Sequence, residues 1–224
     1  MSKLKTIPRL QVAFDLENLE SALNMAQKVA PFVDILEAGT PLIKSEGIQA
    51  VRALKESHPD KYICADLKTA DAGYLEVKMA ALAKADIVSI LADAYDNTIE
   101  EALRAAHEYG VEIMADLIVS RSPINRLVEI INLNYKGTKV HYALAHSGLD
   151  RQASRRTPLS EIEALAKIKN HPSLAIAGGI QIPDIKKIIT YPIEIVIVGG
   201  AITRAKNPRL VAEQFRNEIS KSKS

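Results

Sequence analysis

Asp66, Lys68 and Asp71 close an apolar run in the segment ADLKTADAG, residues 65–73. Residues two apart on a strand point to one side, so Lys68 reaches the Asp66 carboxylate if the strand continues that far. Such a pair either plugs an interior as a salt bridge or offers a carboxylate and an ammonium to a reacting molecule. Asp71 precedes the helical segment AGYLEVKMAALAK and, taken singly, reads as that helix's N-cap. Glu37 follows Ile35 and Leu36, and an ionised carboxylate among apolar neighbours needs a cation, hydrogen bonds or a metal. Glu37 and Asp66 together suit a hard divalent ion: magnesium takes one or two carboxylates and keeps waters and substrate oxygens. Zinc fits less well, because no cysteine or histidine cluster has ligand spacing.

His146 ends VHYALAH and is the histidine placed where these acids converge; His141 stands near the start of that run. A histidine beside carboxylates suits proton transfer near neutral pH, although a lone histidine is more often structural. Asp15 and Asp116 are further acids late in apolar runs. Gly178 and Gly179, then Gly199 and Gly200, each follow a run directly. Backbone amides in such turns approach phosphate closely, and the alternative is two tight turns. Arg204 is the nearest cation to them, and the basic run over 151–156 reads as a solvated loop or an anion-attracting lid.

Residues so far apart share one pocket only if a fold gathers them. Eight apolar runs start near Leu10, Val33, Tyr62, Asp86, Glu112, Lys139, Leu174 and Glu194, alternating with segments of helical spacing. No linker interrupts the series. Eight βα units in 224 residues predict a single-domain (β/α)₈ TIM barrel over residues 1–224, with 1–8 and 220–224 as frayed termini; an open doubly wound sheet is the alternative. In a barrel the C-terminal strand ends form one mouth, where Asp15, Glu37, Asp66, Asp116 and His146 fall.

The composition bounds the partners. With 29 basic and 27 acidic residues the formal charge is +2, so no strong field favours nucleic acid or an anionic membrane. No apolar run suits a signal peptide or a membrane span, and one cysteine, Cys64, gives no disulfide framework; both suggest a cytoplasmic protein.

The segments QVAFDL, VDILEAGTPLIKSEG, ADLKTADAG, HSGLDRQA, AGGI and VGGAIT, in that order, give the chain its resemblance to the 3-hexulose-6-phosphate synthases of the orotidine-5′-phosphate decarboxylase superfamily. The resemblance implies a magnesium-dependent aldol reaction of formaldehyde with D-ribulose 5-phosphate, through a 1,2-enediolate. It implies Glu37 and Asp66 as metal ligands, Lys68 as the cation beside the enediolate and His146 as the proton carrier. Asp15 and Asp116 would hold sugar hydroxyls or orient Lys68, and Gly178, Gly179, Gly199 and Gly200 would grip the phosphate. Asp71 would reach into a partner's site in a homodimer with shared active sites. The sister 3-keto-L-gulonate-6-phosphate decarboxylases typically carry arginine where this chain has Leu149 and Gly200. They remain the nearest alternative, ahead of a phosphosugar epimerase or a non-catalytic phosphosugar-binding barrel.

Overall fold

The computed structural model describes residues 8–148 and 158–221, so Leu149 and the basic run over 151–156 lie outside the described residues. Eight parallel strands close in sequence order: β1 (Arg9–Phe14), β2 (Ile35–Ala38), β3 (Tyr62–Thr69), β4 (Ile87–Leu91), β5 (Glu112–Asp116), β6 (Tyr142–His146), β7 (Ser173–Ala177) and β8 (Ile193–Val198), with β8 pairing β1. The helices between them are α1 (Leu19–Val29), α2 (Thr40–Glu46), α3 (Gln49–Ser57), α4 (Gly73–Leu82), α5 (Asp96–Tyr109), α6 (Pro123–Ile130), α7 (Leu159–Leu165), α8 (Ile182–Ile188), α9 (Gly200–Thr203) and α10 (Pro208–Ser220). The predicted (β/α)₈ barrel is the observed fold. No helix among the described residues is long and apolar enough to cross a membrane.

Strand periodicity sorts the side chains. Leu10, Val12 and Phe14 of β1 join the layer packed under the helices, and Ala13 joins Ile35, Cys64, Ile87, Met114 and Leu144 inside the barrel. The inward set, continued one step towards the C-terminal mouth, contains Asp15, Glu37, Asp66, Asp116 and His146. The other end of the barrel is closed by polar groups. Arg9 donates to the Tyr142 hydroxyl at 2.6 Å and to Glu194 at 2.9 Å, and the Tyr142 hydroxyl donates to Glu112 at 2.9 Å. The buried Cys64 thiol has its pKa pushed well up by burial and by the Glu37 and Asp66 charges, which leaves it a packing residue.

Strands β2 and β6 begin at Ile35 and Tyr142, later than the predicted Val33 and Lys139. The residue just before each is used as a cap. Asp34 accepts the Leu10 N–H at 2.7 Å, Asp86 accepts the Ile63 N–H at 2.7 Å, and His141 Nδ1 accepts the Ile113 N–H at 3.0 Å. A side chain thus takes the place of a strand carbonyl at the start of β1, β3 and β5.

His141 can do this only while Nδ1 is unprotonated. Burial lowers its pKa, with the Glu112 charge opposing. Between the folded and unfolded values the unfolded chain binds a proton that the native chain does not, so stability falls as pH falls. Urea unfolding at pH 7.5 and 5.5 should show this loss, and His141→Asn, which keeps an acceptor without titrating, should flatten it. An equal loss in both proteins would place the acid sensitivity elsewhere.

Candidate functional site

A cavity of about 450 Å³ opens at the C-terminal mouth. One side carries Asp15, Glu37, Asp66 and Lys68 from the β1–β3 ends; the other carries Met114, Leu144, His146, Ala177 and Ile197, with the two glycine turns at the rim. Lys68 reaches this position by an irregularity. Ala65 pairs with Val88 but Thr69 pairs with Ile90, so β3 runs four residues where β4 runs two. Within this bulge Lys68 has φ +49°, a left-handed backbone that costs about 1–2 kcal/mol for an L-residue. Its N–H donates to the Ser89 hydroxyl at 3.0 Å instead of to a strand carbonyl.

Asp66 is the most heavily supported acid. Its carboxylate pairs with the Lys68 ammonium and accepts from Ser89 Oγ and Thr40 Oγ1, each at 2.7 Å. Burial opposes its ionisation, but Lys68 and these hydrogen bonds outweigh burial and hold its pKa below the ordinary value. Lys68 is held protonated: burial works against the ammonium, and the Asp66 and Asp116 charges more than compensate. Glu37 is the opposite case. It is 7% exposed, accepts from Gln11 Nε2 at 2.6 Å and has no salt-bridge cation among the described residues; burial and the Asp66 and Asp15 charges push its pKa well up. Asp15 opens into the cavity yet is walled by protein, and desolvation followed by the Asp66 charge raises its pKa.

This excess of carboxylate over cation fits a hard divalent ion. Among the described residues no three His, Cys, Asp or Glu side chains gather as a ligand cage; Glu37 and Asp66 both line the cavity, and two carboxylates are as many as magnesium needs from protein when substrate and water complete its shell. Gln11 Oε1, buried beside Glu37 without a hydrogen-bond partner among the described residues, adds an unused oxygen to the floor.

At the rim, Gly178 has φ +105°, and a Cβ there would overlap the Ser147 carbonyl. A Cβ on Gly200 would overlap the Arg204 guanidinium, which folds back over that glycine and lines the cavity. Gly178 requires glycine, because its positive φ and the Ser147 backbone exclude a side chain, whereas a residue at 200 would have to displace the flexible Arg204 side chain.

Two predicted residues do not line the cavity. Asp116 is fully buried behind His146: its carboxylate meets His146 Nδ1 at 2.9 Å and lies 3.7 Å from the Lys68 ammonium. From there its carboxylate faces His146 and Lys68 and not the cavity, which His146 lines. Asp71 is exposed and outside the cavity. It is not the N-cap of α4, because Ala72 holds that position in a left-handed conformation and the Asp71 carboxylate accepts the N–H of Ala72 itself, at 2.7 Å. Thr40, Ser89 and Gln11 were missed. Each is a polar residue in or directly after an apolar strand, the signal that found the acids, but a hydroxyl or amide in a strand is common enough to pass unread.

The sequence pattern of the orotidine 5′-phosphate decarboxylase / HUMPS family matches residues 8–215. The chain belongs to this family. Among its similar members, the 3-hexulose-6-phosphate synthase of Mycobacterium gastri is 39% identical over 212 residues, 95% of this chain and all of that protein. The crystal structure of the 3-hexulose-6-phosphate synthase from Salmonella typhimurium superposes with TM-score 0.89 at 32% identity, covering 96% of this chain and 99% of that one. A family member of the sister activity, the KGPDC from Streptococcus mutans, also gives 0.89, at 28% identity over 98% of this chain and all of that one. Backbone likeness therefore does not separate the two activities within the family; the greater identity lies with the synthases.

Proposed function

We propose that the chain is an aldehyde-lyase that reversibly joins formaldehyde to D-ribulose 5-phosphate, giving D-arabino-hex-3-ulose 6-phosphate. The observation that carries this reading is the arrangement of the cavity: an undercompensated carboxylate, Glu37, beside the Asp66–Lys68 pair at one end and glycine turns with Arg204 at the other. That spacing suits a ketose phosphate held by its phosphate while C1 and C2 face the acids. The names of the relatives support the same reaction. The Arg204 guanidinium fills the space over Gly200, where the sister decarboxylases typically carry an arginine, and this favours the synthase.

His146 takes the C1 proton on Nε2, and magnesium, held by Glu37 and Asp66, would neutralise the charge left on the two neighbouring sugar oxygens. Lys68 adds a fixed positive charge on the same side, preorganised by Asp66 and Asp116. His146 then gives that proton from Nε2 to the aldehyde oxygen as the new carbon–carbon bond forms, with Asp116 holding its Nδ1–H. Asp15 accepts from sugar hydroxyls, and the turns at Gly178–Gly179 and Gly199–Gly200 hold the phosphate with Arg204. Incubation with ribulose 5-phosphate and formaldehyde, with magnesium or with EDTA, tests the reading. Formaldehyde should disappear only with magnesium, and no metal-dependent loss would end it.

The exposed Asp71 supports a homodimer with shared sites. It lies two residues before the start of α4, whose Leu75, Met79 and Leu82 recur at helical spacing and are 56%, 46% and 53% exposed. An apolar stripe on an outer helix is an interface signal, and a partner docked there would bring a second Asp71 near. Asp71→Ala and Lys68→Ala should each be inactive alone and regain activity when co-expressed, because the mixed dimer contains one intact site. Failure to complement would confine Asp71 to its own chain.

A further inference from the structure

The cavity has a charged wall from the first three strands and an apolar wall from the later ones, and Ile118 lies where the apolar wall meets His146. Its position is set twice. The Ile118 N–H donates to Asp116 Oδ1 at 2.9 Å, and the other oxygen of the same carboxylate takes His146 Nδ1 at 2.9 Å. One buried carboxylate therefore fixes both the imidazole and the Ile118 backbone. The Ile118 side chain points towards Gly148, where a Cβ, had the residue one, would come within 3.2 Å of Ile118 Cδ1. That would be inside the ordinary carbon–carbon contact of about 3.5–4.0 Å, so the glycine leaves the Ile118 side chain room that a larger residue would take.

We propose that Ile118 selects the aldehyde: its branched side chain closes the space beside His146, so that the site takes a one-carbon aldehyde and turns away any that carries a carbon substituent. An isoleucine also offers no hydrogen bond to a substituent hydroxyl, so a hydroxyaldehyde would bury an unsatisfied group there. This inference rests on the aldol reading above. The chemistry is the same for a larger aldehyde: C1 gives up one proton, one carbon–carbon bond forms to the carbonyl carbon, and the carbonyl oxygen takes one proton. Only the room beside the carbonyl differs.

The test measures kcat/KM of the full chain with magnesium and ribulose 5-phosphate for formaldehyde, acetaldehyde and glycolaldehyde. The wild type should strongly prefer formaldehyde. Ile118→Ala should raise the acetaldehyde-to-formaldehyde ratio by about tenfold or more, the scale of a few methylenes in an apolar pocket. Ile118→Val should raise it less and in the same direction, which keeps the question answerable if the alanine variant does not fold. A ratio unchanged in a folded variant, or a wild type that uses acetaldehyde as readily as formaldehyde, overturns the selection by Ile118 and leaves the aldol reading standing. A wild type that consumes no formaldehyde overturns the aldol reading itself.

Discussion

Lys68→Ala should lower kcat for formaldehyde consumption on the order of 10² to 10³-fold, the scale seen when one preorganised donor is removed from a developing negative charge. Lys68 forms ion pairs with both Asp66 and Asp116 on the charged side of the cavity. Its charge matters most when the sugar oxygens become negative, so the loss should appear in kcat and kcat/KM together, with little change in KM. The fold should survive, because Asp66 keeps the hydroxyls of Ser89 and Thr40. Steady-state rates at saturating magnesium, with circular dichroism as a check on folding, measure this. A kcat within threefold of wild type would reduce Lys68 to a plug for Asp66.

Glu37→Gln should separate stability from metal response. The carboxylate is buried with one amide donor and no salt-bridge cation, and its raised pKa reflects the cost of charging it there. In the folded state it holds a proton that the unfolded carboxyl releases between the ordinary and the raised pKa, so wild-type stability without metal falls as pH rises through that window. The amide removes the charge at little change in volume, and the variant should melt higher than wild type in EDTA near neutral pH. Added magnesium should raise the melting temperature of wild type, as any ligand of the native state does. The variant should lose that shift, with an affinity drop exceeding the roughly 10- to 100-fold that outer-shell changes cost. Calorimetry with and without magnesium reads this independently of turnover. Equal magnesium shifts in both proteins would remove Glu37 from the metal site.

The residues that carry these expectations were largely legible before any fold was known. Asp15, Glu37, Asp66 and His146 are ionisable groups late in apolar runs, and ionisable groups in such runs require a partner or a function. Eight apolar runs alternating with helical segments pointed to a barrel, whose closure brings the late residues of each run to one mouth. The chain alone thus specified the barrel, the acids and the position of the glycine turns. Those are local properties, readable from each segment by itself.

The tertiary structure decided what depends on more than one segment. Asp116 and Asp15 look alike in sequence, yet the Asp116 carboxylate is sealed behind His146 while that of Asp15 opens to the cavity, because neighbours on other strands set the burial of each. The β3 bulge that aims Lys68 is visible only as a mismatch of register with β4. The opposite fates of the Asp66 and Glu37 carboxyls follow from where one ammonium and two hydroxyls happen to reach. Burial, register and charge balance are sums over several strands, and only the closed barrel performs those sums.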